Sequence, residues 1–351
     1  KNLYPMKSSF LACFILGACL TMHAAVQTDI EYGTAGGEKL LLDASIPDGP
    51  GPWPAVILVH GGGWTAGDKS GGPQKGYMAP MHESLTKAGF AWFSINYRLA
   101  PKFRYPAMLE DVETAIRWVK AHAAQYHLDS QRIVLSGESP GGQLINMAAV
   151  HADASTRVAA LVVFYGSADL VANAVGPDGK LGASRAALIG RPEFDDKTKA
   201  LLREASAINF IKPGLPPFLL VHGTLDDRVP YPGSVEFQAK LRAAGVTCDL
   251  ITIKDGPHGM LPWPPLAPHF KEEVVAWLQT TLKIPAAKPY AFRKIFAHSH
   301  PDPEPGISCL RASRAIHPKS SESVSLRSAL AVGDKRLYAA IVRFARPIIA
   351  P

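Results

Sequence analysis

A serine, an aspartate and a histidine stand in this chain at places where an apolar run gives way to a glycine-marked turn. Ser139 lies in Gly137-Glu138-Ser139-Pro140-Gly141, Asp226 in His222-Gly223-Thr224-Leu225-Asp226-Asp227, and His258 in Asp255-Gly256-Pro257-His258-Gly259. Acyl transfer through a serine needs a hydroxyl exposed on a sharp turn, an imidazole to take its proton and a carboxylate to orient that imidazole. It also needs donors for the oxyanion. His60-Gly61-Gly62-Gly63-Trp64 is the candidate, because three glycines let the backbone approach a substrate and aim N–H groups at it. Gly-x-Ser-x-Gly alone is a weak signal; here it sits between an apolar run and a helical one. Asp227 is the rival acid, and Asp226 is preferred on its spacing from the His222-Gly223 turn.

The elements that must position these groups alternate along residues 26–285. Short apolar runs at 54–60, 91–97, 132–137, 159–165, 217–222 and 248–253 have the length of buried strands. Helical spacing is found at 108–121, 143–151, 235–244 and 270–282. Such alternation predicts an α/β fold with a mostly parallel sheet covered by helices on both faces. Each candidate residue follows a strand, which gathers them at one end of the sheet. Residues 166–212 interrupt the rhythm with Gly, Pro and charged residues and are expected to form a small insertion or lid.

Composition and charge say little about the ligand until they are located. The net charge of +7 belongs to residues 286–351, which hold eleven Lys/Arg and four Asp/Glu, and the rest of the chain sums to zero. There is accordingly no basic footprint for a nucleic-acid partner on the main domain. The segment 286–351, rich in Ser, Pro, Arg and His, reads as a disordered extension or a non-native read-through. Residues 1–25 read as an upstream scar followed by a secretory signal: Met6, the basic Lys7, an apolar stretch from Phe10 to Leu20, and small residues at Ala24-Ala25. The expectation is a secreted or periplasmic protein. Leu16-Gly17-Ala18-Cys19 offers a second processing route, a lipid anchor on Cys19. Cys248 is the one cysteine of the main domain, so no disulfide is expected within it, and no metal-ligand spacing occurs.

His60-Gly61-Gly62-Gly63-Trp64 with Gly67-Asp68-Lys69, then Asn96-Tyr97-Arg98-Leu99-Ala100-Pro101, the 137–142 elbow and His222-Gly223-Thr224-x-Asp226 together resemble the esterase/lipase branch of the α/β hydrolases. The nearest likeness is to the BD-FAE group of acetyl-xylan and feruloyl carbohydrate esterases, over about residues 26–285. Only about 35 residues separate Ala25 from His60, too few for the longer cap of the hormone-sensitive-lipase group. The resemblance implies the α/β-hydrolase fold, Ser139, Asp226 and His258 as catalytic residues, and Gly62 and Gly63 as oxyanion donors. It implies a carboxylic ester hydrolase acting on acetyl or feruloyl esters of plant polysaccharide, with no metal and no organic cofactor. A general short-chain carboxylesterase, an arylformamidase-like amidase and a catalytically weak binding protein remain as alternatives.

One residue departs from the pattern. The family carries Ala after the nucleophile, whose N–H donates to the oxyanion; here Pro140 has none. Proline suits the first position of a helix, so the fold accepts it. Around the core motifs, Trp64 and Tyr97 are candidates for the acyl pocket or for packing. Glu138 is expected either to orient the elbow or, in a structural role, to face a neighbouring helix. Arg98 is expected in a structural ion pair, with Asp68 or Glu138 as candidate partners, and His82, His122, His127 and His151 on the surface.

Overall fold

The computed structural model describes residues 25–70 and 78–284. The predicted signal with Cys19, and the basic segment 286–351, lie outside the described residues. Chain order is β1 (Gln27–Ala35), β2 (Glu38–Ser45), β3 (Trp53–Val59), α1 (Ala79–Lys87), β4 (Ala91–Ile95), α2 (Ala107–Ala121), β5 (Leu128–Glu138) and α3 (Pro140–Val150). There follow β6 (Ala160–Phe164), α4 (Ala183–Ile189), α5 (Asp196–Glu204), β7 (Phe218–Gly223), α6 (Pro232–Ala243), β8 (Cys248–Ile253) and α7 (Phe270–Thr281). The eight strands form one sheet in the order β1-β2-β4-β3-β5-β6-β7-β8. The six strands from β4 to β8 pair in parallel, whereas β1 with β2, and β2 with β4, pair antiparallel.

The strands are buried on both faces because their residues alternate between two apolar layers. In β3, Ala55, Ile57 and Val59 join one cluster, together with Met108 and Val112 of α2 and Leu144 of α3. Val56 and Leu58 join the other, with Met81 and Leu85 of α1 and Val274 and Leu278 of α7. A period of two in a doubly covered strand leaves no polar face, hence the continuous apolar runs in the sequence.

The antiparallel hairpin was not among the expected elements. β1 is mostly exposed, so it lacks an apolar run. Its signal is the turn, Gly36-Gly37 at φ +58° and +81°, the mirror-image geometry favoured by two-residue hairpins. The interruption at 166–212 holds α4, α5 and a 3₁₀ turn at Ala207–Asn209, and Leu170, Leu188, Leu202 and Ala207 of it are core residues. It is a packed insertion. Among the described residues, no helix is long and apolar enough to cross a membrane.

The strand order reverses direction between β3 and β5: β4 lies to one side of the pair, β6, β7 and β8 to the other. Loops leaving the carboxyl ends of two such strands diverge and open a crevice. β3 runs into the glycine loop and β5 into Ser139, with Val59 and Gly137 paired at the ends. The topology therefore sets the two candidate parts side by side.

Candidate active site

β5 carries the chain to Glu138, and α3 starts at Pro140, so Ser139 alone makes the turn, at φ 52° and ψ −120°. A non-glycine residue at positive φ is strained, and a serine held there presents its hydroxyl above the sheet. The neighbouring backbone holds it: Ser139 N–H donates to Phe164 O at 2.9 Å, and Gln143 N–H donates to Ser139 O at 3.1 Å. Gly141 is required by close approach, since a Cβ there would lie 2.1 Å from Val59 O. Pro140 takes the first helical position, where a missing N–H costs no helix hydrogen bond.

The three sequence-predicted residues come together. Ser139 Oγ lies 3.0 Å from His258 Nε2, and His258 Nδ1 lies 2.7 Å from Asp226 Oδ2. Asp226 is buried, whereas Asp227 is exposed and takes no part. The carboxylate is held on both oxygens. Oδ1 accepts the N–H groups of Arg228 (2.9 Å) and Val229 (2.8 Å), and Oδ2 accepts from His258 and, at 3.2 Å, from His222 Nε2. Burial works to raise this carboxyl, but the hydrogen bonds from His222 and His258 outweigh it and hold the group far below the usual carboxylate range. Asp226 is thus an anion where an imidazolium would form. His222 is buried, with Nε2 facing Val229 O at 2.9 Å and Nδ1 facing Ser234 Oγ at 2.7 Å. With a carbonyl and a carboxylate as its neighbours, Nε2 carries the proton.

The His258 loop is braced by residues that sequence reasoning passed over. Trp263 Nε1 donates to Pro257 O at 3.0 Å, and the buried Tyr165 ring stands edge-on to His258 at 4.8 Å and to Trp263 at 5.3 Å. The signal for Tyr165 was its place at the end of an apolar strand.

The glycine loop turns at Gly62, where φ is +105° and a Cβ would lie 2.2 Å from Ala66 O. Gly62 O accepts from Ala66 N–H at 3.0 Å, and Gly61 N–H donates to Glu138 Oε1 at 2.6 Å. Of the two roles open to Glu138, the elbow is the one observed: it ties the elbow to the glycine loop. Asn96 Oδ1 accepts from Lys69 N–H at 2.6 Å, and Ser94 Oγ donates to Lys69 O at 2.6 Å, so the segment after the glycines is fastened to β4.

Several expectations are corrected. Tyr97 is buried behind the loop: its ring stacks on His60 at 4.3 Å and its hydroxyl donates to His60 O at 3.1 Å, so it supports the loop. Arg98 pairs with Asp111 at 2.8 Å and with Glu110 at 3.0 Å, both on α2, and meets neither Asp68 nor Glu138. Asp68 is instead engaged with Ser70 and Asn96, and Glu138 with Gly61. His82 packs flat on Trp92 at 4.2 Å and His122 on Trp118 at 4.0 Å, so neither is a free surface residue; His127 and His151 are exposed.

A cavity of about 400 Å³ opens beside Ser139 and His258, and Gly62, Gly63, Trp64 and Pro140 line it. Trp64 is held by Nε1 donating to Gln143 Oε1 at 3.1 Å. The insertion contributes Ser184 and Arg185 to the wall, and the loop after β7 contributes Arg228. None of these three carried a motif. Among the described residues, no group of three or more His, Cys, Asp or Glu is placed to hold a metal ion.

Comparison with known proteins agrees with this architecture. A family model described as BD-FAE matches residues 42–241, more than half of the chain. The match takes in Ser139 and Asp226 but stops short of His258, whose place rests on the geometry above. Esterase LipQ of Mycobacterium tuberculosis is 34% identical over 64% of this chain and 54% of its own. The chain spans about half the length of the curated relatives it matches. Among solved structures, a truncated carbohydrate esterase from gut microbiota superposes with a TM-score of 0.63 at 24% identity, covering 74% of this chain and 97% of that one. A bifunctional GH43-CE protein from Bacteroides eggerthii superposes with a TM-score of 0.62 at 28% identity, covering 73% of this chain and 38% of that one. The fold is that of the α/β-hydrolase esterases.

Proposed function

The chain belongs to the BD-FAE family, and from that premise we propose that it is a carboxylic ester hydrolase working through an acyl-enzyme on Ser139. The observation that carries this reading is the unbroken line from Ser139 Oγ through His258 to Asp226, at 3.0 and 2.7 Å, on a turn held at φ 52°. Ser139 Oγ attacks the acyl carbonyl as His258 Nε2 takes its proton, and His258 returns that proton to the leaving alcohol. Water then repeats the sequence and frees the acid. Asp226 keeps the Nδ1 proton on the imidazole and balances the charge of the imidazolium. The N–H groups of Gly62 and Gly63 supply the oxyanion hole, without the usual third donor because Pro140 carries no N–H. The reaction consumes only ester and water, and no cofactor enters it.

The finer reading is a carbohydrate esterase that releases acetyl or feruloyl groups from xylan-type plant polysaccharide. The family likeness and the resemblance to the GH43-CE protein support it. Export to the periplasm or medium belongs to the same reading and is supported by the basic, apolar and small-residue pattern of residues 7–25.

The test is hydrolysis of 4-nitrophenyl acetate together with labelling by a serine-directed phosphonate. The wild type is expected to turn over and to take one label per chain. Ser139→Ala should lose both, with turnover down at least about 10⁴-fold. A panel running from acetyl to decanoyl esters, with methyl ferulate, acetylated xylan and an anilide, then ranks the substrate classes. Pro140 favours a second reading, a catalytically weak binding protein, which takes over from the esterase reading if both hydrolysis and labelling are absent.

A further inference from the structure

The cavity beside Ser139 is walled by two arginines from different segments. Arg185 belongs to α4 in the insertion, and Arg228 to the loop that also carries Asp226. Nothing in the reaction just described calls for either. Both catalytic-side carboxylates are already engaged: Asp226 by His222, His258 and two backbone N–H groups, and Glu138 by Gly61 N–H.

Neither arginine forms an ion pair among the described residues, in contrast to Arg98, which Asp111 and Glu110 close off. Arg185 is partly buried, and its Nε is anchored to Leu170 O at 3.1 Å. That bond fixes the guanidinium and leaves its terminal nitrogens with donors to spare. Asp169, which acts on it electrostatically, stays beyond ion-pair distance, and its Oδ1 accepts the N–H groups of Val171 (2.8 Å) and Ala172 (3.2 Å). Burial pushes the Arg185 guanidinium down from its ordinary value, the direction expected of a cation short of a counter-charge. Arg228 is exposed at the rim, with its backbone N–H fixed on Asp226 Oδ1. A planar, tethered cation lining the same cavity as a second one suits a carboxylate.

We infer that Arg185 and Arg228 form an anion subsite, and that the preferred substrates are esters carrying a carboxylate near the scissile bond. This rests on the esterase reading. The carboxylate has two chemical sources. It can belong to the acyl group, as in a dicarboxylic hemiester, or to the alcohol, as in a uronate acylated on one of its hydroxyls. In both cases the charge stays on the substrate throughout, so the arginines bind and orient, and Ser139 and His258 do the chemistry.

The experiment compares matched pairs. On the acyl side these are 4-nitrophenyl hemiglutarate and 4-nitrophenyl valerate; on the alcohol side, O-acetylated galacturonate and O-acetylated galactose. The expected result is a higher kcat/KM for the anionic member of at least one pair, and the pair that shows it identifies the source. Arg228→Gln and Arg185→Gln should each lower the anionic-to-neutral ratio about tenfold, the scale of one unscreened charge at a partly exposed site. Raising the salt should lower the wild-type ratio too. Arg228 is exposed, so its variant reads the ratio even where loss of the Leu170 tether in the Arg185 variant disturbs folding. Hydrolysis of the neutral esters with no anionic preference, or with a ratio that neither variant moves, overturns the subsite alone. Failure to hydrolyse any of the four overturns the esterase reading, and the subsite with it.

Discussion

At the scale of single residues, the position next to Ser139, the proposed nucleophile, separates what the fold needs from what the proposed chemistry needs. Pro140 is at home as the first residue of α3, and Ser139 keeps both its backbone hydrogen bonds. What is missing is one N–H donor. Removing such a donor costs on the order of 10²–10³ in turnover in other serine hydrolases. Pro140→Ala should therefore raise kcat on 4-nitrophenyl acetate by about tenfold or more with little change in KM. An unchanged or lower kcat would show that the glycine loop already meets the whole demand of the oxyanion. That Ser139, Asp226 and His258 come together was legible because each follows a strand and sits in a local turn with glycine beside it. The choice between pocket and packing for Tyr97, and the partners of the Arg98 ion pair, stayed open for the opposite reason. Their roles depend on which neighbours the fold delivers, the His60 ring and the α2 carboxylates, and no local pattern encodes that.

At the scale of elements, the site depends on two strand ends staying in register. β3 and β5 meet at Val59 and Gly137, and just beyond them Glu138 accepts Gly61 N–H at 2.6 Å. A buried N–H that loses its acceptor costs about 1–3 kcal/mol. Glu138→Leu should lower stability by about that amount and also cut kcat, because the glycine loop loses its tether to the elbow. Glu138→Gln keeps an oxygen acceptor and should lie between Leu and wild type in both. Thermal melts and 4-nitrophenyl acetate kinetics on the two variants check this, and equal behaviour of the two would remove the tether from the account. The parallel strands were legible as continuous apolar runs because both faces of the sheet are covered. The β1–β2 hairpin was not, since an exposed edge strand needs few apolar residues, and its glycine pair was the sole local mark. The insertion announced itself only as a break in rhythm, so Arg185 came into view with the structure.

At the scale of the whole molecule, the buried His60 and the partly buried His82 make stability depend on pH away from His258 and Asp226. Burial pushes both His60 and His82 down from 6.5 to about 4. His60 lies under the glycine loop against Tyr97, and His82 lies on α1 against Trp92, its Nε2 without a hydrogen-bond partner among the described residues. In the unfolded chain both imidazoles bind a proton as the pH falls through 6.5, while the folded chain stays neutral until about 4. The unfolded state therefore holds more protons across that window, and stability rises with pH. The penalty is absent above about pH 7, grows as the pH falls below 6.5 and levels off below about 4. Asp226 works in another range. Its depressed carboxyl adds stability that is fully present above 3.8 and is lost only as the pH falls below that, so it leaves the interval from pH 7 to 5 untouched. Between those two values each imidazole should cost about 2 kcal/mol, roughly 4–8 °C in Tm for a domain of this size. The site itself can be spared in the test, because His82 is not among the residues lining the cavity beside Ser139. His82→Phe keeps the flat packing on Trp92 and removes the titration. Melts at pH 7 and pH 5 should show a clear drop for the wild type and about half that drop for His82→Phe. A wild type whose Tm is the same at both values, or a variant that falls as far as the wild type, would show that these imidazoles are not what acid acts on.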